Sequence, residues 1–473
     1  MTRAKDLATG PLRPPRREGG PMSLSHRMRR RTLGITVLVA ALVALATFTA
    51  VGSAGSAVGK PPANVSGTFQ EWNWDLAVDD PGEHAILPLW IKMVEKKWPH
   101  VKLVNTSMTL TAQNDKLPLA FASASSAPTL SQTNEGLENQ GRLVQDNLIM
   151  PLDPYDNIYR WYQRIGGKSS LALAVNSWPS SKKHFGSGQV YAVPMTGTVV
   201  GVFYNKKILS SVGAKAPTNW ATFVKDLAIV TKAGKTAIAY AGGQPTAFQP
   251  SHVLWMLINH YVPAAKSLAF VSHTGSNASI DTKAHVQAAT TLQQWTKAGY
   301  FAKSFQGLSA DDALNMFDTG KAAFFIEGNW YAGAVWSALH NTAGFWAPPV
   351  VTGGPGEGWS IPTHSPNPDL AAAMLGLTLS PQIQTALLKN GDIPLVPPSA
   401  KALAKAQPLL RSAGKIWDAT VKSKQIVPYM DWAYPAFLNQ AMAGIAELQG
   451  GKTSPAKLMS SLQSQYEAYW KSH

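Results

Sequence analysis

The stretch Gly188–Leu209 (GQVYAVPMTGTVVGVFYNKKIL) constrains this chain more than any other. Two short apolar runs, each rich in β-branched and aromatic residues, flank the loop Met195–Thr198, and a basic helix start at Lys206-Lys207 follows. Pro194 closes the first run, because proline has no N–H for a ladder and is tolerated only at a strand end or edge. Taken alone, the segment predicts two strands joined by a loop, with a helix behind the second.

The remainder must supply partners for those strands. With 473 residues, 45% of them hydrophobic, the chain has the length of two or three ordinary globular domains. The sequence contains no cysteine, which rules out disulfides, thiolate metal sites, a cysteine nucleophile and a lipidated cysteine within it. Eleven scattered histidines form no HExxH, so no metal site is expected. Calcium held by carbonyls and carboxylates stays open.

The formal charge of +15 is unevenly placed. Residues 1–32 hold nine Lys and Arg against Asp6 and Glu18, which is +7 of that total. What is left is diffuse and forms no dense basic run, so no nucleic-acid partner is expected. A positive mature part permits an acidic ligand.

Arg27–Arg31 precede Leu33–Val51, an uncharged apolar run, and the small residues Gly52–Ala57 follow. A basic segment, an apolar core and a small-residue exit predict a secretory signal, with cleavage after Ala54 or Ala57. The same run has the length of a retained membrane anchor. Arg30-Arg31 also suits twin-arginine export, and Met22 or Met28 suits a later start. The part beyond Lys60 is expected to work outside the cytoplasmic membrane.

Along that part, Val65–Trp74, Val101–Val104 and Thr129–Gln132 predict strands, and His84–Lys97 and Leu117–Ala124 predict helices. Strand–helix alternation points to a parallel sheet covered by helices. Further on, Trp220–Thr231, Val253–Tyr261, Ala284–Ala298 and Asp311–Thr319 predict helices, while Ala237–Tyr240 and Lys321–Ile326 predict strands. Gly353–Gly358 reads as a flexible turn, and from Asp369 the chain is mostly helical. Ala446–Thr453 imitates a phosphate-binding loop, but it follows a helical pattern and reads better as a helix C-terminus at Gly450-Gly451.

Four segments in order, Val190–Leu209, Thr319–Trp330 (TGKAAFFIEGNW), Gly358–Pro362 (GWSIP) and Ile445–Pro455 (IAELQGGKTSP), resemble the extracellular solute-binding proteins of ABC importers. The resemblance is to the sugar- and oligosaccharide-binding group (family 1, maltose-binding-protein-like). It implies an α/β, periplasmic-binding-protein-like fold, with two α/β lobes joined by crossing hinge strands around a ligand cleft. The implied boundaries are an N-terminal extension and signal over 1–60, lobe 1 over 61–193 and lobe 2 over 194–323. Lobe 1 would return over 324–362, and a C-terminal helical part of lobe 2 would cover 363–473. Relatives from Gram-positive bacteria commonly carry a lipidated cysteine, which this sequence lacks.

A pyranose offers hydroxyls at its rim and C–H patches on its faces, so aromatic rings that stack and acids or amides that accept are the expected contacts. Sixteen tryptophans supply candidates, several of them in loops after strands, where open α/β sheets bind ligands. The expected ligand-binding residues are Trp72, Asp75, Asn134, Glu135, Thr196, Gly197, Glu327, Trp330, Trp359, Asp431 and Trp432. Thr196 and Gly197 are placed at the cleft floor. Trp90, Trp98, Trp220, Trp255, Trp295 and Trp470 fall in helical patterns and are expected in the core, as is Tyr204.

The expected function is extracytoplasmic capture of a carbohydrate, delivered by a monomer to the membrane permease of an ABC importer, with no cofactor and no catalysis. The alternative is a secreted glycoside hydrolase or polysaccharide lyase, which needs an acidic pair in an aromatic cleft. Asp311-Asp312, Glu327 and Glu357 are the candidate acids, with no distance between them readable from sequence; the adjacent Asp311 and Asp312 stand at a helix start and read better as cap and dipole partners. A structural surface protein is a third reading, to which the ordered motifs do not conform.

Overall fold

Strand β1 (Ser66–Trp74), helix α1 (Pro81–Lys97), strand β2 (His100–Met108), helix α2 (Leu110–Phe121) and strand β3 (Leu130–Thr133) follow one another, as the alternation predicts. β1 pairs parallel with β2 on one side and β3 on the other. The ends of α1 explain its extent: the Asp80 side chain accepts from the Glu83 amide, and Lys96 and Lys97 sit on the negative end of the helix dipole. These observations come from a computed structural model that describes residues 58–74, 80–243, 248–275 and 278–473. The expected signal or anchor and the candidate Asp75 therefore lie outside the described residues. Among the described residues no helix is long and apolar enough to cross a membrane.

A short antiparallel pair, β4 (Ser177–Trp178) with β5 (Gln189–Val190), leads into the Pro194 segment. The chain then enters β6 (Thr196–Asn205), the spine of a second sheet. The remaining strands are β7 (Thr236–Ala239), β8 (Ala322–Gly328), β9 (Ala343–Trp346), β10 (Val351–Pro355), β11 (Gly358–Ser360), β12 (Ile393–Pro394) and β13 (Ile426–Val427). The first sheet runs β11-β3-β1-β2 and the second β13-β10-β6-β8-β7, with β9 and β12 also paired to β6. So Val190 and Thr196–Asn205 do not form a hairpin. The first run ends in one pair and the second serves another sheet.

Two expected boundaries are corrected. Phe324 does not mark a return to the first lobe: β8 lies between β6 and β7 in the second sheet. Its alternating side chains explain why, since Phe324 and Ile326 enter one core and Phe325 the opposite one. The return comes at β11, where Gly358–Ser360 pair with β3. Nor does the chain pass to the second lobe after Pro362. Leu370 and Met374 of the 368–378 helix, and Ile383 and Leu387 of the 381–390 helix, bury in the core that holds Trp90 and Trp359. The second sheet resumes only at β12.

The glycine turn is also revised, because Gly353 and Gly354 are paired residues of β10. A Cβ on Gly353 would come within 2.2 Å of the Thr198 carbonyl oxygen, so glycine here permits close strand approach. Three segments pass between the sheets and are bonded side by side. The Gly356 amide donates to the Thr196 carbonyl at 2.8 Å, and the Leu395 amide donates to the Met195 carbonyl at 3.1 Å.

Candidate functional site

The carboxyl ends of the parallel strands in the first sheet point at one cavity. Trp74 ends β1, Leu110 follows β2 and Asn134 follows β3, and all three line it. The second sheet supplies the opposite wall through Thr198 of β6, Glu327 of β8, and Trp330 and Tyr331 just beyond β8. Ser251, His252 and Trp255 come from helix Gln249–Tyr261, which follows β7, and Phe248 immediately precedes that helix. Tyr429, Asp431 and Trp432 come from the turn after β13, and Glu357 from a crossing segment. The cavity has a volume of about 130 Å³.

Each wall is held by local chemistry. Gln249 ties its helix to the sheet, donating to the Ala239 and Ile326 carbonyls and accepting from the Ala241 amide. That fixes His252 one turn on, where its Nδ1 stands 2.9 Å from Glu327 Oε2. Burial works against a charged imidazole here, but Glu327, and then Asp431, outweigh it and hold His252 above its usual value. The ring of His252 meets those of Trp330, Tyr429 and Trp255 at centroid separations of 5.7, 6.0 and 6.1 Å. Tyr429 donates to Thr198 Oγ1 at 3.0 Å, and Trp432 lies 5.4 Å from Tyr429, ring to ring.

The two sheets meet at Trp432. Its carbonyl accepts from the Leu137 amide at 2.9 Å, and a Cβ on Gly136, which has φ +67°, would reach the Trp432 Cα within 2.7 Å. Asn134, in the same loop, donates to Glu138 Oε2 at 2.7 Å. Trp330 is half-buried, whereas Trp74, Trp255 and Trp432 are almost wholly enclosed.

A group of buried acids stands at the crossings, of which Asp80 and Glu357 also line the cavity while Glu83, Glu135 and Asp392 do not. Glu83 accepts from Thr196 Oγ1 at 2.7 Å and from Gln132 Nε2 at 2.9 Å. Burial, and then the neighbouring Asp80, push its carboxyl up to about 8. Burial likewise raises Glu135, Glu357 and Asp392 well above the carboxylate range, and acids of the same group add to the rise in each. For Glu135 the effect of burial is opposed in part by its own backbone, the Asn176 side chain and the Gly358 backbone. No trio of His, Asp and Glu suited to a metal ion occurs among the described residues.

Of the expected site residues, Asn134, Glu327, Trp330, Asp431 and Trp432 are brought together on the cavity wall. Five others stand elsewhere. Trp359 is fully buried beside Trp90, with centroids 5.0 Å apart, because β11 turns it into the core of the first sheet. Gly197 is flanked by β10 and β12 and covered by the Trp417 ring. Thr196 spends its hydroxyl on Glu83, so Thr198, two residues on, is the one that reaches the cavity. Glu135 is enclosed behind the wall, and Trp72 packs half-buried with its Nε1 donating to Gln70.

His252, Tyr429, Trp255 and Asp80 were not expected. His252 has a signal in the sequence, a polar residue in the first turn of an otherwise apolar helix. Trp255 was assigned to the core; it is 1% exposed and still lines the cavity, so packing and site coincide there. The expected cap role of Asp312 is met, since Ser309 and Asp312 cap one another.

Comparison with known proteins gives the following. The family described as bacterial extracellular solute-binding protein matches residues 47–416. The multiple sugar-binding protein of Streptococcus mutans is 27% identical over 176 residues, spanning 37% of this chain and 41% of that protein. A solved structure of a chitin oligosaccharide binding protein superposes with a TM-score of 0.71 at 20% identity, covering 85% of this chain and 98% of the other. Maltose-bound MalE3 of T. maritima gives 0.65 at 14% identity, over 85% and 99%. The superpositions carry the two-lobed α/β fold.

Proposed function

The chain belongs to the bacterial extracellular solute-binding proteins, and on that premise we propose that it captures a sugar or oligosaccharide and delivers it to the membrane permease of an ABC importer. The observation that carries this reading is a cavity walled from both sheets by aromatic rings, Trp74, Trp255, Trp330, Tyr429 and Trp432, with acceptors at Asn134, Glu327 and Asp431 between them. Rings stack on sugar faces, and carboxylates accept from the hydroxyl rim. The Streptococcus mutans relative binds multiple sugars by its name, which agrees with that chemistry.

On this reading the three crossing segments are the hinge, and closure brings the Trp330 wall against the Asn134 wall. The protein acts as a monomer outside the cytoplasmic membrane and releases its ligand chemically unchanged. The test is incubation of the purified mature chain with a sugar that it binds, followed by small-angle scattering and chromatography of the sugar. The expected result is a smaller radius of gyration and intact ligand. Accumulation of a shortened or unsaturated product overturns the reading in favour of a hydrolase or lyase.

A further inference from the structure

The charge of the cavity is opposite to that of the chain. Asp80, Glu327, Glu357 and Asp431 line it, and among the described residues His252 is the only basic side chain in its wall. His252 is engaged by Glu327 at 2.9 Å, so that pair is close to neutral. Asp431 makes no contact ion pair of that kind, and His252 acts on it only as the last and smallest influence. It is 8% exposed, and its Oδ1 is buried without a hydrogen-bond partner. Burial raises its carboxyl above the usual range, and the Glu138 carboxyl beside it is raised by burial and then by Asp431. Asp431 is thus an enclosed acid in the cavity wall with one oxygen that no group of the protein satisfies.

A buried, unpaired negative charge is costly to hold, and a cation on the ligand offsets that cost. Hydroxyl groups satisfy an acceptor but bring no charge, whereas an ammonium makes a charge-assisted bond about twice as strong. The rings of Trp432, Tyr429 and Trp330 stand around the same space, and aromatic faces attract cations as well as sugar C–H groups. An anionic sugar meets the reverse of both effects. We propose that the saccharide selected by this cavity carries a protonated amine, seated at Asp431. This rests on the saccharide-binding reading above and narrows it to amino sugars with a free amine.

The experiment is calorimetric titration of the mature chain, near neutral pH, with mono- to trisaccharides of the gluco, galacto and manno series. Each sugar is used in three forms, hydroxyl, N-acetyl and free amine, so that the charge varies on a fixed skeleton. The expected result is that the tightest binder is a free amine, at least about tenfold tighter than its N-acetyl counterpart. Asp431→Asn is expected to lower that amine-to-N-acetyl ratio by about the same factor. Titration at a pH high enough to deprotonate the ligand amine shrinks the ratio in the unmodified protein, a readout that does not depend on the variant folding. Hydroxyl or N-acetyl forms that bind as well as the amine, or a ratio unchanged when the ligand amine is deprotonated, overturn the proposal while leaving saccharide binding intact. If no sugar of any form binds, the saccharide reading itself fails.

Discussion

At the residue scale, Gly136 matters to the cavity as much as any ring that lines it. Its φ of +67° is a left-handed conformation that L side chains adopt at a cost of roughly 1–2 kcal/mol. Its missing Cβ lets the Trp432 backbone dock on the Asn134–Glu138 loop. Gly136→Ala is therefore expected to weaken ligand binding by about tenfold or more while lowering Tm only by a few degrees. Unchanged affinity by calorimetry would show that the two walls need not touch there. Trp432 was legible in the sequence as one of the tryptophans in a loop after a strand. Gly136 was not, because nothing local says what its missing side chain must accommodate. Trp359 misled for the converse reason. A tryptophan after glycines looks like a loop ring, but the register of β11 on β3 is a long-range fact, and it turns this ring inward.

Elements carry the electrostatics of the crossings. Helix α1 delivers Glu83, strand β6 delivers Thr196, and strand β3 delivers Gln132 to one buried contact. The carboxyl of Glu83 is raised from 4.5 to about 8, so the folded protein holds a proton that the unfolded chain has released at neutral pH. Its contribution is therefore complete below about pH 4.5 and drains as the pH climbs to about 8. Glu71, raised to about 7, acts in the same direction over a narrower window. Melting curves between about pH 5 and 8 should show Tm falling with pH, and Glu83→Gln should make that fall shallower by its own share, about a few kcal/mol at the alkaline end, leaving the share of the other buried acids. A variant whose Tm falls as steeply as that of the unmodified protein would assign the proton elsewhere. Periodicity made β1, α1 and β2 readable, because each has a local pattern. It could not say that β8 joins β6 and β7, since a strand buried on both faces reads alike in either sheet.

For the whole molecule, the sequence signal lay in the order of its motifs, and that order led to the two-sheet α/β architecture. The paths of 324–362 and 363–390 were misjudged, because helix–sheet docking follows from cores assembled over long separations. Net charge misled as well. A chain of formal charge +15 encloses a cavity lined by acids, since the excess Lys and Arg are spread elsewhere. The central claim is that this cavity seats a saccharide against Trp330, the half-buried ring of its wall. The most direct measurement is calorimetric titration of the mature chain and of Trp330→Ala with the tightest sugar of a broad panel. The account predicts one site per chain with a Kd in the micromolar range, about −8 kcal/mol, and at least about a hundredfold weakening in the variant at unchanged Tm. Equal affinity in the two proteins, or no binding from any sugar, would contradict it.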